Sequence, residues 1–437
     1  MLYAAGVKTI RLDGPGKNSL STELMLRMLA SVREAAGAPL FLTGEGDAFS
    51  AGLNLKEVAS LDVAGLTTFL GVLEDLVQAL YEYPAPTVAW VNGHAIAGGC
   101  VMALCCDVRV MTARDAIACL GAGRMGRGIA VAFAYAGHDV AIVDFKARDA
   151  DRFATLEAEA LGEIRKTFAS LSRFGLLSTA DVETLMARVS VVPVAGAALA
   201  LSSAAIVFEG VPEVLDLKRD ALAKASRLAG PDAIIASTTS TILVDDISSA
   251  VEHPARFLNA HWLNPAYLVP LVELSPGQAT DPAITARVIT LLEGIGKKPV
   301  VCAATPGYIV PRIQALAMNE AARMVEEGVA SAADIDKAIK YGFGFRFAVL
   351  GLLEFIDWGG GDILHYASQY LTGALGNERY AAPEIIGRNM AEGKVGLRTG
   401  EGFLDYAGMD VDAYREQRLA AFVDLLRHFE LAKPPVL

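Results

Sequence analysis

Residues 117–144 read IACLGAGRMGRGIAVAFAYAGHDVAIVD, and this stretch decides the fold of the chain. It opens with the apolar run IACL, which is long enough for a buried strand and too short for a helix. The pattern G-x-G-x-x-G follows, then small and apolar residues typical of a helix, and a second apolar run that ends in Asp144. This order predicts one βαβ unit of a Rossmann-type parallel sheet.

Each residue type in this unit suits the binding of a dinucleotide. Gly121 permits a tight turn, Gly123 lets the backbone approach a pyrophosphate, and Gly126 lets helix and strand pack closely. The pyrophosphate would then lie on the free N–H groups at the start of the helix. Met125 lies inside this motif and is predicted as a further cofactor-binding residue. Asp144 can accept both hydroxyls of the ribose and repels a 2′-phosphate, so the predicted cofactor is NAD rather than NADP.

Composition limits the remaining classes of function. The 437 residues are 53% hydrophobic and 20% charged, which is typical of an ordered soluble protein with two to four domains. A net charge of −12 argues against nucleic acid or an anionic membrane as a partner. Charged or polar groups interrupt the long apolar runs, so no membrane span is expected. The cysteines show no metal-ligand spacing, and with no secretory signal we expect a cytoplasmic protein with reduced thiols and no metal site.

The chain divides into three predicted domains. Residues 1–110 read as a separate α/β module with short strands and amphipathic helices. In residues 111–303 short apolar runs alternate with helical segments, which predicts a doubly wound parallel sheet that binds ligands at the carboxyl ends of its strands. From residue 304 to 437 apolar residues recur with a 3.6-residue period, which predicts an all-helical C-terminal domain.

His261 and Glu273 are the candidate acid–base pair. Oxidation of an alcohol requires a base for the hydroxyl proton while hydride leaves the same carbon, and histidine titrates near neutrality. A carboxylate on the second ring nitrogen would fix the tautomer and stabilise the imidazolium. A histidine in an apolar context can equally be a packed core residue with no chemical role.

Residues 111–437 resemble the L-3-hydroxyacyl-CoA dehydrogenase family through the motifs HWLNP at 261–265, LVE at 271–273 and EGVPEVLDLK at 209–218. The resemblance implies that His261 is the catalytic base and Glu273 its partner. It implies that Ser240 binds the substrate oxygen and that Asn264 belongs to the same site.

The same resemblance extends to the cofactor, substrate and assembly. Glu213 and Lys218 match family positions near the nicotinamide end of NAD. The implied reaction converts (S)-3-hydroxyacyl-CoA, with 3-hydroxybutyryl-CoA the first candidate, and NAD⁺ to 3-oxoacyl-CoA and NADH. The implied assembly is a homodimer formed through the C-terminal helical domain.

Two departures from the family pattern keep a second substrate class open. The family usually has Asn after G-F-I-V to help hold the thioester, whereas GYIVPRIQ places Pro311 there, with neither a side-chain amide nor a backbone N–H. Thr238 stands where Asn is usual. The segment GFGFRFAVLG at 342–351 is closer to relatives that oxidise gulonate or carnitine. A free 3-hydroxy acid is therefore the alternative substrate.

Residues 1–110 carry a second resemblance, in FSAGLNLKEV at 49–58 and VNGHAIAGGCVMALCCDVRV at 91–110. These loops resemble the enoyl-CoA hydratase/isomerase (crotonase) family, and the resemblance implies that the amides of Leu53 and Gly98 form an oxyanion hole. Only the first half of such a fold is covered, and Val101 occupies the position of a catalytic glutamate. We therefore expect a partial, inactive module, the alternatives being hydratase or isomerase activity and binding of a CoA thioester.

Overall fold

The computed structural model describes residues 7–46, 48–111 and 115–433. The chain forms two compact units, Met1–Tyr308 and Ile309–Leu437. The first unit contains the N-terminal module and the predicted Rossmann domain. The predicted boundary between these two domains adjoins residues 112–114, which lie outside the described residues.

The N-terminal module is built on a parallel sheet with the strand order β1-β2-β4-β6, beside a small pair β3-β5. Its elements in chain order are β1 (Lys8–Leu12), α1 (Pro15–Asn18), α2 (Thr22–Glu34), β2 (Leu40–Gly44), β3 (Ala48–Ser50), α3 (Leu55–Val58), α4 (Val63–Tyr81), β4 (Thr87–Val91), β5 (His94–Ala95), α5 (Gly98–Leu104) and β6 (Val108–Met111).

One face of this sheet is packed and the other is open. Leu12, Leu42 and Ala89 are buried on the face that α2 and α4 cover. On the opposite face the strands present Trp90 and Val108 to the surface. An uncovered apolar face is what we expect of the partial module that the sequence predicts.

Helix α4 bears on the expectation that the chain has no membrane span. Within the part of the chain that the structure describes, α4 is long and apolar enough to cross a membrane by length and composition alone, with a mean hydropathy of 1.4. Glu74 and Asp75 are its charged residues. One such helix is weak evidence for a span, because core helices of soluble proteins pass the same test. Phe69, Leu76 and Leu80 are buried in this module, but only 17% of the apolar window of α4 is buried.

The second domain is an eight-stranded sheet with the order β14-β13-β12-β11-β10-β7-β8-β9. Its elements in chain order are β7 (Ile117–Leu120), α6 (Arg124–Tyr135), β8 (Val140–Val143), α7 (Ala150–Arg173), α8 (Asp181–Met186), β9 (Val189–Val192), α9 (Ala197–Ser202), β10 (Ile206–Glu209), α10 (Leu215–Leu228), β11 (Ile234–Ser237), α11 (Val244–Ser248), β12 (Phe257–Trp262), β13 (Leu271–Pro276), α12 (Pro282–Gly294) and β14 (Lys298–Val301).

The predicted Rossmann-type fold is confirmed, with one difference in strand direction. Strands β7 to β12 are parallel, whereas β13 pairs antiparallel with β12 and parallel with β14. The sheet is therefore mixed at one edge rather than parallel throughout. Helices cover both faces, so that in β7 Ile117 and Cys119 join one buried cluster while Ala118 and Leu120 join the other.

The second compact unit is helical, as expected. Its helices are α13 (Val310–Glu326), α14 (Ala332–Ala338), a π-helical turn (Ile339–Phe343), α15 (Gly344–Phe347), α16 (Leu352–Gly359), α17 (Gly361–Leu375), α18 (Glu384–Ala391) and α19 (Val411–His428). Asp357 on α16 is buried and accepts hydrogen bonds from the amides of Phe403 and Leu404, which fixes the loop before α19. The described residues of α13 include none that is buried.

Candidate active site

The dyad predicted from the sequence lies on neighbouring strands of the second domain. His261 on β12 and Glu273 on β13 are directly opposed in the antiparallel register. The Nδ1 atom of His261 is 2.8 Å from Oε2 of Glu273, and both side chains are buried. A carboxylate at Nδ1 holds the imidazole in the tautomer whose Nε2 can take a proton.

Ser240 belongs to the loop that follows β11, and Glu213 holds this loop in place. Glu213 Oε1 accepts hydrogen bonds from the backbone amides of Ser240 and Thr241, both at 3.0 Å, and from the hydroxyl of Thr239. Ser240 itself is exposed, so a substrate can reach its hydroxyl.

The pKa of Glu213 is lower than that of an ordinary glutamate. Burial by itself would raise its pKa, but hydrogen bonds from Thr239 and Thr241 and the charge of Lys218 outweigh burial and lower the pKa to about 2. The group therefore acts as a permanent acceptor beneath the Ser240 loop.

Glu209 is a residue of this network that the sequence reasoning missed. It is fully buried at the end of β10, and its carboxylate accepts hydrogen bonds from Lys218 Nζ at 3.0 Å and from Ser237 Oγ at 2.5 Å. Lys218 is also buried and lies 3.2 Å from Glu213 Oε2, so it pairs with two carboxylates at once. The signal was available in the sequence, since an acid that ends an otherwise apolar buried strand requires a partner.

The glycine turn has the geometry that a pyrophosphate requires. Gly121 has φ +92°, and a Cβ atom on Gly126 would lie 2.1 Å from the carbonyl oxygen of Gly121. A Cβ atom on Gly123 would meet nothing within 4 Å, so the backbone there is open to a ligand at the start of α6. The three glycines therefore fit a dinucleotide.

The other predicted cofactor positions differ in their surroundings. Met125 is half-buried and packs against the hydrophobic core, so its side chain is turned to the core of the domain. Asp144 follows β8, is 5% exposed, and accepts a hydrogen bond of 2.5 Å from Arg148 Nε. Arg148 was not among the predicted site residues.

Asn264 lies three residues after His261, in the connection between β12 and β13, and is exposed. Thr238, at the other departure from the family pattern, is buried directly after β11. Pro311 lies in the first turn of α13, in the second compact unit.

The loops of the N-terminal module bring Leu53 and Gly98 together. A Cβ atom on Gly98 would lie 3.2 Å from Leu53 Cδ2, and one on Gly52 would lie 3.3 Å from the Gly98 nitrogen. Ala97 has φ +44°, a strained value for a residue with a side chain. Val101 lies on α5, so the described module has no carboxylate at that position of the helix.

Comparison with known proteins shows the family of the two dehydrogenase domains. The sequence matches "3-hydroxyacyl-CoA dehydrogenase, NAD binding domain" over residues 116–305 and "3-hydroxyacyl-CoA dehydrogenase, C-terminal domain" over residues 307–406. It is 30% identical over 316 residues to 5-formyl-3-hydroxy-2-methylpyridine 4-carboxylate 5-dehydrogenase of Mesorhizobium japonicum, covering 72% of this chain and 98% of that protein. The chain belongs to the 3-hydroxyacyl-CoA dehydrogenase family. NAD is the cofactor of this family's NAD-binding domain, as the sequence predicted.

Two further proteins that are similar to the dehydrogenase region are named as dehydrogenases of CoA esters. A probable 3-hydroxybutyryl-CoA dehydrogenase of Deinococcus radiodurans is 32% identical over 288 residues, covering 66% of this chain and 98% of that protein. The crystal structure of a 3-hydroxyacyl-CoA dehydrogenase of Archaeoglobus fulgidus is similar with a TM-score of 0.58 and 32% identity, covering 73% of this chain and all of the other.

The N-terminal module has a separate relationship. Residues 3–134 match "Enoyl-CoA hydratase/isomerase", which confirms the second resemblance. The chain is thus a member of the 3-hydroxyacyl-CoA dehydrogenase family with part of a crotonase-like sequence before its NAD-binding domain.

Proposed function

We propose that this dehydrogenase oxidises a short-chain (S)-3-hydroxyacyl-CoA, with 3-hydroxybutyryl-CoA as the first candidate, and that His261 and Glu273 supply the general base. The observation that carries the proposal is the contact of 2.8 Å between the buried imidazole and carboxylate on opposed strands. A buried pair of this kind, at the carboxyl end of β12 and near the loop of Ser240, has the arrangement of a proton acceptor with its orienting acid.

The protein's residues perform the proton half of the reaction. The Ser240 hydroxyl donates a hydrogen bond to the substrate oxygen, and Nε2 of His261 removes the hydroxyl proton as the C3 hydrogen leaves as hydride. Glu273 stabilises the imidazolium that forms, which then releases its proton to solvent. NAD⁺, when bound, accepts the hydride and supplies the redox chemistry.

The residues that would hold the cofactor lie along the carboxyl edge of the sheet. Gly121, Gly123 and Gly126 suit the pyrophosphate, and Asp144 suits the adenosine ribose. Glu213 and Lys218 lie beneath the Ser240 loop. We assign them to the nicotinamide end, where a rigid charged pair would orient the ring next to the substrate.

A free hydroxy acid is the second candidate substrate, and Pro311 favours it. A proline cannot make the amide contact that the family uses to hold the thioester. The Mesorhizobium japonicum relative is named for a pyridine carboxylate rather than a CoA ester. Loss of a thioester contact would favour a smaller anionic substrate.

The experiment that separates these substrates is a comparison of kcat/KM for 3-hydroxybutyryl-CoA, L-gulonate and carnitine at saturating NAD⁺. Reduction of acetoacetyl-CoA with NADH is measured in parallel. A CoA preference supports the first proposal, and a preference for either free acid supports the second. Pro311→Asn should raise kcat/KM for the CoA ester by up to about tenfold, the size of one hydrogen bond, while Ala315→Asn on the same helix leaves it unchanged.

For the N-terminal module we propose a non-catalytic role, since Val101 replaces the acid that hydration requires. The test is hydration of crotonyl-CoA followed by the loss of its ultraviolet absorbance. Turnover that Gly98→Val abolishes would establish a hydratase instead. Binding of crotonyl-CoA without turnover, lost in the same variant, would indicate a thioester-binding module.

A further inference from the structure

Tyr308 lies face to face with the catalytic imidazole. The ring centroids of Tyr308 and His261 are 4.9 Å apart and their planes differ by 4°. Tyr308 is buried, and its φ of +45° lies in the left-handed region that a bulky residue rarely adopts. Backbone in this region persists only where the surrounding contacts over-determine it, and such residues cluster at functional sites.

The hydroxyl group of Tyr308 reaches two other parts of the site. It donates a hydrogen bond of 2.9 Å to the carbonyl oxygen of Thr239, the residue before Ser240. It accepts a hydrogen bond of 3.1 Å from Nδ2 of Asn259, which lies on β12 on the same side as His261. A single side chain therefore contacts the base, the strand that carries the base, and the loop that carries the serine.

We propose that Tyr308 is a positioning residue that holds His261 and Ser240 in a fixed relation to each other. This inference rests on the proposed function, because it assigns Tyr308 a role in that reaction. Glu273 fixes the imidazole at its Nδ1 edge, and the Tyr308 ring fixes the plane in which Nε2 points. The hydrogen bond from the Tyr308 hydroxyl to the Thr239 carbonyl then fixes the position of the Ser240 loop relative to the plane of the imidazole.

The chemistry of the reaction explains why such a connection matters. The substrate hydroxyl must contact Ser240 and His261 at the same time, so an error in either position separates the proton from its acceptor. Catalytic groups need support that holds them to about 0.5 Å. Burial also raises the pKa of Tyr308, so its hydroxyl stays a neutral donor at physiological pH.

Tyr308→Phe tests the hydroxyl separately from the ring. Phenylalanine is the residue that the family pattern G-F-I-V has at this position, and it keeps the stacked face. We expect kcat to fall on the order of tenfold, the size of one to two buried hydrogen bonds, with KM for NAD⁺ unchanged. Tyr83→Phe is the matched control, since the Tyr83 hydroxyl also donates to a carbonyl, that of Ala38 at 2.8 Å, and accepts from an amide, that of Gly37.

A double-mutant cycle with Ser240→Ala distinguishes positioning from general stabilisation. If Tyr308 acts through the Ser240 loop, the double variant should lose no more kcat than Ser240→Ala alone. The inference would be overturned if the kcat losses of the two single variants multiplied in the double variant, or if Tyr308→Phe had wild-type kcat. Should Tyr308→Phe not fold, Asn259→Ala removes the bond that orients the Tyr308 hydroxyl towards Thr239, together with the Asn259 bond to the carbonyl of Ile242. It should lower kcat by less than Tyr308→Phe, with a loss that does not multiply with that of Ser240→Ala, and wild-type kcat or a multiplying loss would overturn the inference.

The proposed function itself is tested by a different variant. If His261→Ala turns over normally, the function fails and the positioning role fails with it. If His261→Ala is inactive while Tyr308→Phe has wild-type kcat, the inference about Tyr308 alone is wrong.

Discussion

His261 and Glu273 occupy directly opposed positions on two antiparallel strands, with Nδ1 of the histidine 2.8 Å from Oε2 of the glutamate. A shift of the pairing by one residue would send one of the two side chains to the other face of the sheet. The register of β12 and β13 therefore creates the contact between His261 and Glu273.

His261→Ala should lower kcat by about 10²- to 10⁴-fold, the usual contribution of a general base, while NAD⁺ affinity stays unchanged. The measurement is steady-state turnover of 3-hydroxybutyryl-CoA together with NADH fluorescence titration. His253→Ala replaces an exposed histidine in the loop before β12 and should behave as wild type. Comparable losses in both variants would point to general damage rather than a missing base.

The sequence predicted the residues of this pair but not the way in which the fold brings them together. Family motifs identify His261 and Glu273, whereas strand direction depends on tertiary packing that a short apolar run does not encode. Glu209 could have been predicted from the sequence, because an acid at the end of a buried apolar strand requires a partner. Tyr308 could not, because its stacking on His261 joins residues from distant segments and requires the strand order to be known.

Asp144→Ala should change the choice of cofactor. The loss of an ionised acceptor for the ribose hydroxyls should reduce kcat/KM for NAD⁺ by about 10- to 100-fold. Arg148, which now donates to Asp144 at 2.5 Å, would be released and could pair with a 2′-phosphate, so kcat/KM for NADP⁺ should rise. The check is the ratio of the two kcat/KM values. Asp151→Asn, on an exposed first-turn residue of α7, is the control and should leave the ratio unchanged.

Glu213→Gln should alter the pH dependence of stability. The folded-state pKa of Glu213, about 2, lies below its ordinary value of 4.5, so the charged form stabilises the folded protein. This contribution is complete above the ordinary pKa and is lost as pH falls through the folded pKa. The variant lacks it at every pH, so the stability difference from wild type should be largest near pH 7 and shrink as the pH falls below about 4.5.

Urea unfolding midpoints, measured across that pH range, provide the check on Glu213. Glu252→Gln, at an exposed glutamate, should follow the wild-type curve at each pH. A stability difference between Glu213→Gln and wild type that is the same at neutral and acid pH would contradict the assigned charge interaction.

The fold was predicted more fully than the site. The helix α6 and the strands β7 and β8 follow from local patterns of apolar and glycine residues, and the structure has them where the pattern indicates. The expectation of no membrane span stays a prediction, because helix α4 passes the length and composition test even though Glu74 and Asp75 interrupt its apolar run.

An expected homodimer through the helical unit leads to the last prediction. Ile313 and Leu316 lie three residues apart on α13 and therefore share a face, and Leu316 is 73% exposed. A helix with no buried residue among those described gains little from its own unit, so a second copy would supply the missing apolar contacts. Leu316→Glu should shift the protein from dimer to monomer in light scattering after size exclusion. Leu199→Glu, at an equally exposed leucine on α9, should not. A glutamate buried in an apolar interface would cost far more free energy than the contact provides, so a dimer through this face could not form in Leu316→Glu. A monomeric wild type, or a Leu316→Glu variant that stays dimeric, would therefore show that this face of α13 is not the interface.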